Sequence, residues 1–223
     1  MYRKLRIILC LLLAIQSGIY LNANTSMDFL KNLKPVITQI WMITPGSGII
    51  DNQEVTLVTS ATKIGAKTGV RAKFNLLKQK HFLETGIDLQ YQPQTIKFND
   101  QASLIAGERD FKMVLVKIPV FYNYCFLKGE TGHNRLGVKI GTNFAFMPYK
   151  KITDKGNLPE YSTKNSFNEM TFGISYYPVN DKLGILLEAG RGTSPFYEDV
   201  YHQYKEKEIG AWSGLSLGLN VKY

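Results

Sequence analysis

The chain has 223 residues, of which 44% are hydrophobic and 12% aromatic, and its formal net charge is +9. This composition is that of a folded protein of one or two domains rather than a disordered one, and the aromatic content favours strands. The positive charge does not indicate nucleic-acid binding, because the cations are spread over several segments and form no single stripe. After the first 24 residues, no segment offers the ~18 uncharged apolar residues of a membrane-spanning helix.

The N-terminal segment has the layout of a secretory signal peptide. Three basic residues precede an apolar run over residues 7–15, and small residues follow near Ala23. The run is shorter than the ~20 residues of a transmembrane helix, although a membrane anchor or a buried helix is the alternative. We therefore expect a signal peptide at 1–23 and one exported domain at 24–223. Cleavage would leave Cys125 as the only cysteine, which excludes an intramolecular disulfide.

Eight segments of the mature chain are predicted to be β-strands, because apolar and polar residues alternate along them with a period of two. In chain order they lie at 35–46, 63–77, 82–92, 111–126, 135–146, 170–179, 182–192 and 212–223. The first is the weakest candidate, and the fourth is apolar on both faces.

The connections between these strands alternate between short and long. Short ones follow the second, fourth and sixth strands, whereas the long ones lie at about 45–62, 93–110, 148–168 and 194–210. This alternation is typical of an up-and-down barrel in an outer membrane, with tight turns at one end and long loops at the other.

Two kinds of closed barrel fit this pattern. A lipocalin-like barrel is apolar inside, whereas a membrane barrel is apolar outside. The glycines favour the second kind, because a glycine in a strand needs a steric reason and a narrow, crowded lumen supplies one. Ten glycines lie on the polar face: Gly65, Gly69, Gly86, Gly137, Gly141, Gly173, Gly184, Gly190, Gly214 and Gly218. The predicted fold is all-β, an eight-stranded antiparallel up-and-down transmembrane β-barrel without an open pore.

Charged residues on the polar face are predicted to form a structural ion network in the lumen, because buried charges need partners. Its expected members are Lys67, Arg71, Lys73, Glu84, Asp88, Lys117, Lys139 and Glu188. If a tight turn at 78–80 closes a hairpin, Arg71 or Lys73 should lie opposite Asp88, and Asn75 or Lys73 opposite Glu84. A proton or ion relay is the alternative interpretation of these charges.

The C-terminus ends in an aromatic residue preceded by alternate apolar residues. The set is Leu215, Leu217, Leu219, Val221 and Tyr223. We interpret it as the signal that the barrel-assembly machinery reads, and an ordinary edge strand is the alternative.

Residues 35–223 resemble the PorT-like outer-membrane β-barrel family of Bacteroidetes-type bacteria. The resemblance is carried by LVKIPVFYNYCF at 115–126, GVKIGTNFAF at 137–146, LLEAGRGTSPF at 186–196 and GLSLGLNVKY at 214–223. It implies an eight-stranded barrel in the outer membrane, reached through the periplasm. One group within this family serves protein secretion and gliding machinery.

The expected function is that of a non-enzymatic structural or assembly component of the cell envelope, without metal or cofactor. Expected partners are outer-membrane lipid or lipopolysaccharide, the barrel-assembly machinery and an envelope protein, but no nucleic acid. Loop lysines would suit lipopolysaccharide phosphates, with plain solvation as the alternative: Lys150, Lys151, Lys155 and Lys164.

Two rival functions remain open at this stage. The first is a binding or adhesion module that acts through the long loops, among them the tyrosine-rich one at 194–210. The second is a lipid-modifying enzyme that would need a nucleophile, a base and an acid at the outer rim. Its candidates are Ser194, His202 and either Glu198 or Glu206.

Overall fold

The computed structural model describes residues 35–49, 58–61, 63–77, 80–100, 105–129, 134–158, 160–179, 182–193, 197–199 and 211–222. The predicted signal peptide at 1–23 lies outside the described residues. Among the described residues there is no helix that is long and apolar enough to cross a membrane.

The described chain consists of eleven strands. They are Val36–Ile49 (β1), Val58–Ala61 (β2), Lys63–Leu77 (β3), His81–Asp100 (β4), Ile105–Lys128 (β5), Asn134–Asn157 (β6), Tyr161–Thr163 (β7), Ser166–Tyr176 (β8), Leu183–Gly192 (β9), Tyr197–Asp199 (β10) and Ala211–Lys222 (β11).

Eight of these strands close into a ring. Each of β1, β3, β4, β5, β6, β8, β9 and β11 pairs antiparallel with the next, and β11 returns to pair with β1. This confirms the predicted eight-stranded up-and-down barrel. Of the remaining strands, β2 pairs with the far part of β4, and β7 pairs with β10.

The orientation of the two strand faces distinguishes the two kinds of barrel. Ile64, Leu217 and Leu219 are 73%, 56% and 48% exposed on the outside, whereas Lys67 and Arg71 are 5% and 0% exposed in the lumen. A lipocalin-like barrel would show the reverse arrangement. The apolar face is therefore the outer face of the ring, and the charged face is enclosed.

The prediction of long loops at 93–110 and 148–168 is largely wrong, because strands occupy most of these residues. There β4, β5 and β6 continue past the ring, with β2 paired along the far part of β4. We call residues 93–100, 105–113 and 150–157 the extended ribbon. The ring end that carries it is the ribbon end, and the end with tight connections is the turn end.

The reason for this miss is that the polarity of the two faces inverts in the extended ribbon. Ile96, Phe98 and Phe111 are buried on its inward face, while Lys97 and Lys112 are exposed on its outward face. The alternation therefore continues along the strands with its apolar side turned inward, which a search for an outward apolar face does not detect.

Two special backbone features shape this end of the barrel. Where β5 leaves the ring, Met147 and Pro148 both fall opposite Leu115, and a proline without an N–H fits such a register shift. Further out, Gly107 and Gly156 face each other with φ values of 152° and 103°. A Cβ on Gly156 would lie 2.3 Å from the carbonyl oxygen of Ala106, so the two backbones meet closely there.

Candidate functional site: the charged lumen

The register between β3 and β4 determines which charges meet in the lumen. Lys73 lies opposite Glu84, one of the predicted alternatives, but Arg71 lies opposite Gly86 and Asp88 lies opposite Gly69. The prediction that Arg71 or Lys73 is directly opposite Asp88 is therefore wrong. Asn75 is not opposite Glu84 either, because it pairs with Phe82.

Arg71 lies at the centre of the lumen and contacts three carboxylates. Its Nε and Nη2 donate to the two oxygens of Asp88 at 3.0 and 2.6 Å. Its Nη1 donates to Glu84 at 2.8 Å and to Glu188 at 2.6 Å. One fully buried guanidinium thereby connects β3, β4 and β9 across the interior, and its planar fork suits such multiple recognition.

Three lysines complete this cluster around Arg71. Lys139 donates to Glu84 at 3.2 Å and also pairs with Glu188, which Lys67 contacts as well. Lys73 lies 3.5 Å from Glu84. Four cations therefore share three carboxylates, so the cluster holds one uncompensated positive charge. The ring of Phe121 lies 5.2 Å from the Arg71 guanidinium and 4.9 Å from the Lys139 ammonium, and its face stabilises both cations.

A smaller polar group lies beside this cluster. Lys117 donates to Glu169 at 2.7 Å, and the Asn143 amide donates to Glu169 and to the Thr171 hydroxyl, both at 2.8 Å. Of the eight predicted network residues, Arg71 and six others thus form the central cluster, and Lys117 lies in this smaller group. Glu169 was missed because the predicted strand began at residue 170. Extending the alternation by one residue would have placed its side chain on the polar face.

The lumen glycines make room for these long side chains. A Cβ on Gly69 would lie 2.2 Å from Oδ1 of Asp88, and one on Gly173 would lie 2.7 Å from Cε of Lys139. Both distances are too short for a real side chain. The absence of a side chain on one strand therefore allows the charge on the next to occupy the lumen.

The lumen changes character along the barrel axis. Towards the ribbon end it is filled by buried apolar side chains: Ile96, Phe98, Phe111, Met113, Leu115, Ala145, Met147 and Phe167. Towards the turn end a cavity of about 100 Å³ lies against Lys73, Phe82, Asn123, Cys125 and Tyr177. The charged clusters lie between the two, so side chains fill much of the described part of the lumen.

On the extended ribbon, Asp110 joins three elements. It accepts hydrogen bonds from Lys63 at 2.8 Å, from Thr95 and from Lys155 at 3.3 Å. The hydrogen bond from Lys63, followed by the one from Thr95, holds the pKa of the Asp110 carboxyl well below its usual range. The carboxylate thus stabilises the ribbon in its ionised form.

This lowered pKa predicts that acid loosens the ribbon. A depressed pKa contributes stability that is complete above the unfolded-state pKa of about 3.9 and is lost as the pH falls towards the lower folded-state pKa. Below about pH 4, amide hydrogen exchange in residues 105–113 should therefore accelerate more in the wild type than in Asp110→Asn, which has no charge to lose. Equal acceleration in both proteins would contradict this role, and Lys97→Gln is the control for general charge loss on the same face.

Several predicted residues are only partly covered by the described structure. In the proposed assembly signal, Leu217 and Leu219 are exposed and Val221 is half-buried, whereas Tyr223 and the side chain of Leu215 lie outside the described residues. The candidate catalytic residues also fall outside them: Ser194, His202, Glu206 and the side chain of Glu198. Within the described ranges, no group of three His, Cys, Asp or Glu side chains is arranged so that it could hold a metal ion.

Comparison with known proteins gives likeness in structure only. No protein-family model matches the chain, and no curated protein matches it in sequence. The outer membrane protein OprG from Pseudomonas aeruginosa is similar with a TM-score of 0.45 and 11% identity, over 85% of this chain and 95% of that one. Ail, the attachment invasion locus protein of Yersinia pestis, solved with the heparin analogue sucrose octasulfate, has a TM-score of 0.34 and 10% identity, over 86% of this chain and 99% of that one. The fold itself rests on the closed pairing of the eight strands.

Proposed function

We propose that the protein is an integral outer-membrane β-barrel that acts as a non-enzymatic structural or assembly component of the cell envelope. The observation that carries this proposal is the band of exposed apolar side chains around the ring. It includes Ile43, Ile64, Val70, Ile87, Leu89, Ile118, Ile140, Phe172, Ile185, Leu187, Leu217 and Leu219. A band of this extent is far larger than the apolar patches of soluble monomers, and lipid is the solvent that suits it.

The height of the band agrees with a bilayer. On β4 its outward residues run from Leu83 to Tyr91, close to the roughly 9–11 residues that a tilted strand needs to cross. Aromatic side chains lie at its borders, with Tyr91 and Tyr149 towards the ribbon end and Tyr122 and Phe126 towards the turn end. Such aromatic borders are typical of outer-membrane barrels.

The finer parts of the proposal rest on the sequence. They are export by the N-terminal signal peptide, recognition of the C-terminal strand by the barrel-assembly machinery, and membership of the PorT-like family with a link to secretion or gliding. The charged lumen supports a structural role, because its cations are held by carboxylates on three strands and serve the cohesion of the barrel.

A second candidate function is that of a binding module, and the extended ribbon favours it. The ribbon carries β5 and β6 well past the apolar band. Within the described ranges, the strand pairing of β6 with β8 ends at Phe146 and Ser166, and no described strand continues it along the ribbon. An exposed strand edge can accept a strand from a partner.

Cell fractionation of the full chain tests the first proposal. We expect the protein in the outer-membrane fraction, released only by detergent, with a folded form that migrates faster than the boiled form on a gel. A deletion of residues 96–108 then separates the two functions: the envelope phenotype survives if the barrel is structural and disappears if the ribbon binds a partner. Recovery of the wild type in the aqueous fraction would contradict both.

A further inference from the structure

Lys112 and Lys151 form a pair of like charges on the outward face of the extended ribbon. They lie directly opposite each other on β5 and β6, and both are exposed. Side chains at directly opposite positions have Cβ atoms about 4.5–5.5 Å apart, so two ammonium groups there repel each other. Within the described part of the chain, neither lysine side chain has a hydrogen bond or an ion pair.

The neighbouring rows on the same face are electrostatically satisfied. Lys97 pairs with Glu108 at 3.0 Å. Asp110, the nearest carboxylate along β5, already pairs with Lys63 at 2.8 Å and with Lys155. Only the row that contains Lys112 and Lys151 therefore combines two cations without a described anion.

This row lies at a defined depth. Tyr91, Val114 and Tyr149 form the last apolar row of the outer face, and the lysines follow two residues further along each strand. Two residues advance a strand by about 6.6–6.8 Å. The two ammonium groups thus lie just beyond the edge of the apolar band, where lipid headgroups carry their phosphates.

We propose that Lys112 and Lys151 together bind the phosphate monoester of a lipid headgroup in the leaflet at the ribbon end. This inference rests on the proposed membrane location. A phosphate monoester carries about −1.5 to −2 charges at neutral pH, which matches two ammonium groups and converts their repulsion into attraction. A lipid holds its phosphate at the depth of this row, whereas a phosphate free in solution is not held there.

Reconstitution into nanodiscs tests the proposal. Wild type and the Lys112→Gln/Lys151→Gln variant are placed in phosphatidylcholine with and without phosphatidic acid, and bound lipid is counted by native mass spectrometry. We expect enrichment of phosphatidic acid on the wild type and a loss of about fivefold per lysine in the variant. The matched control, Lys97→Gln/Lys155→Gln, removes the same charge from paired lysines and should keep the enrichment.

A stability measurement gives an independent readout. In phosphatidylcholine alone, Lys151→Gln should raise the unfolding temperature, because it removes the repulsion. Adding phosphatidic acid should then stabilise the wild type more than this variant.

Two outcomes of the lipid-binding experiment would overturn the proposal. An equal loss of phosphatidic acid in the control variant would show general charge attraction, and full competition by free inorganic phosphate would show that the lipid is not required. If the protein enters nanodiscs but the enrichment of phosphatidic acid is the same with and without Lys112 and Lys151, only this inference fails. If the protein does not enter nanodiscs, the proposed membrane location fails first.

Discussion

Replacement of Arg71 with methionine should lower the free energy of unfolding by about 3–5 kcal/mol, the usual cost of leaving a buried charge without its partner. Arg71 is fully buried and holds Glu84, Asp88 and Glu188. Methionine fills part of the volume. It leaves Asp88 without an ion pair among the described residues, whereas Glu84 and Glu188 keep their lysines. The fraction of heat-modifiable folded band against urea concentration measures the effect.

Controls separate the lumen charges from charge loss in general. Lys97→Met removes an ion pair whose side chains are 52% and 40% exposed, so its cost should stay below about 1 kcal/mol. Adding Asp88→Asn to Arg71→Met removes one orphaned charge and should recover part of the lost stability. An Arg71→Met protein as stable as the Lys97→Met protein would show that the network does not stabilise the barrel.

Replacement of Ile87 with arginine should destabilise the barrel by about 2–4 kcal/mol in a bilayer, the range measured for cations at the midplane of a lipid-facing strand. Ile87 is 63% exposed and lies opposite Val70 in the middle of the apolar band. If this face met water, a surface substitution of this kind would change stability by no more than about 0.5 kcal/mol. The size of the effect therefore reports which solvent the band meets.

The matched control uses the same strand and the same face. Asn99 lies on the outward side of β4 beyond the band, so Asn99→Arg should be neutral in the same vesicles. Unfolding by urea in phosphatidylcholine vesicles, followed by tryptophan fluorescence, compares the variants. Equal stability of the Ile87→Arg and Asn99→Arg proteins would contradict the membrane location.

The sequence is sufficient to predict the ring because the alternation repeats strongly in every strand. Ile64 and Lys67, for example, already indicate opposite faces, and the glycines indicate which face is enclosed. The set of lumen charges follows from the same alternation. Their pairing does not, because register shifts between β3 and β4 depend on turn geometry: Arg71 reaches Asp88 diagonally past Gly86.

The extended ribbon could not be predicted by the same reasoning. There Phe98 and Phe111 turn inward and Lys97 turns outward; under the proposed membrane location, this is where water replaces lipid outside the barrel. The period of two is unchanged, but the apolar residues lie on the inward face instead of the outward face. In the sequence, such segments resemble polar loops. The pair of Lys112 and Lys151 is also invisible in the sequence, since the two residues become neighbours only through the register of β5 and β6.

The contact between Arg71 and Glu188 spans 117 residues of chain. During synthesis and barrel assembly, the first six ring strands carry all four central cations but only Glu84 and Asp88, so the unfinished sheet has a surplus of two positive charges. Glu188 arrives with β9, the seventh ring strand, just before β11 seals against β1. The arrival of the third carboxylate and the closure of the ring are therefore late and nearly simultaneous events, and a chain that ended before β9 would keep the full surplus of two positive charges in its lumen face.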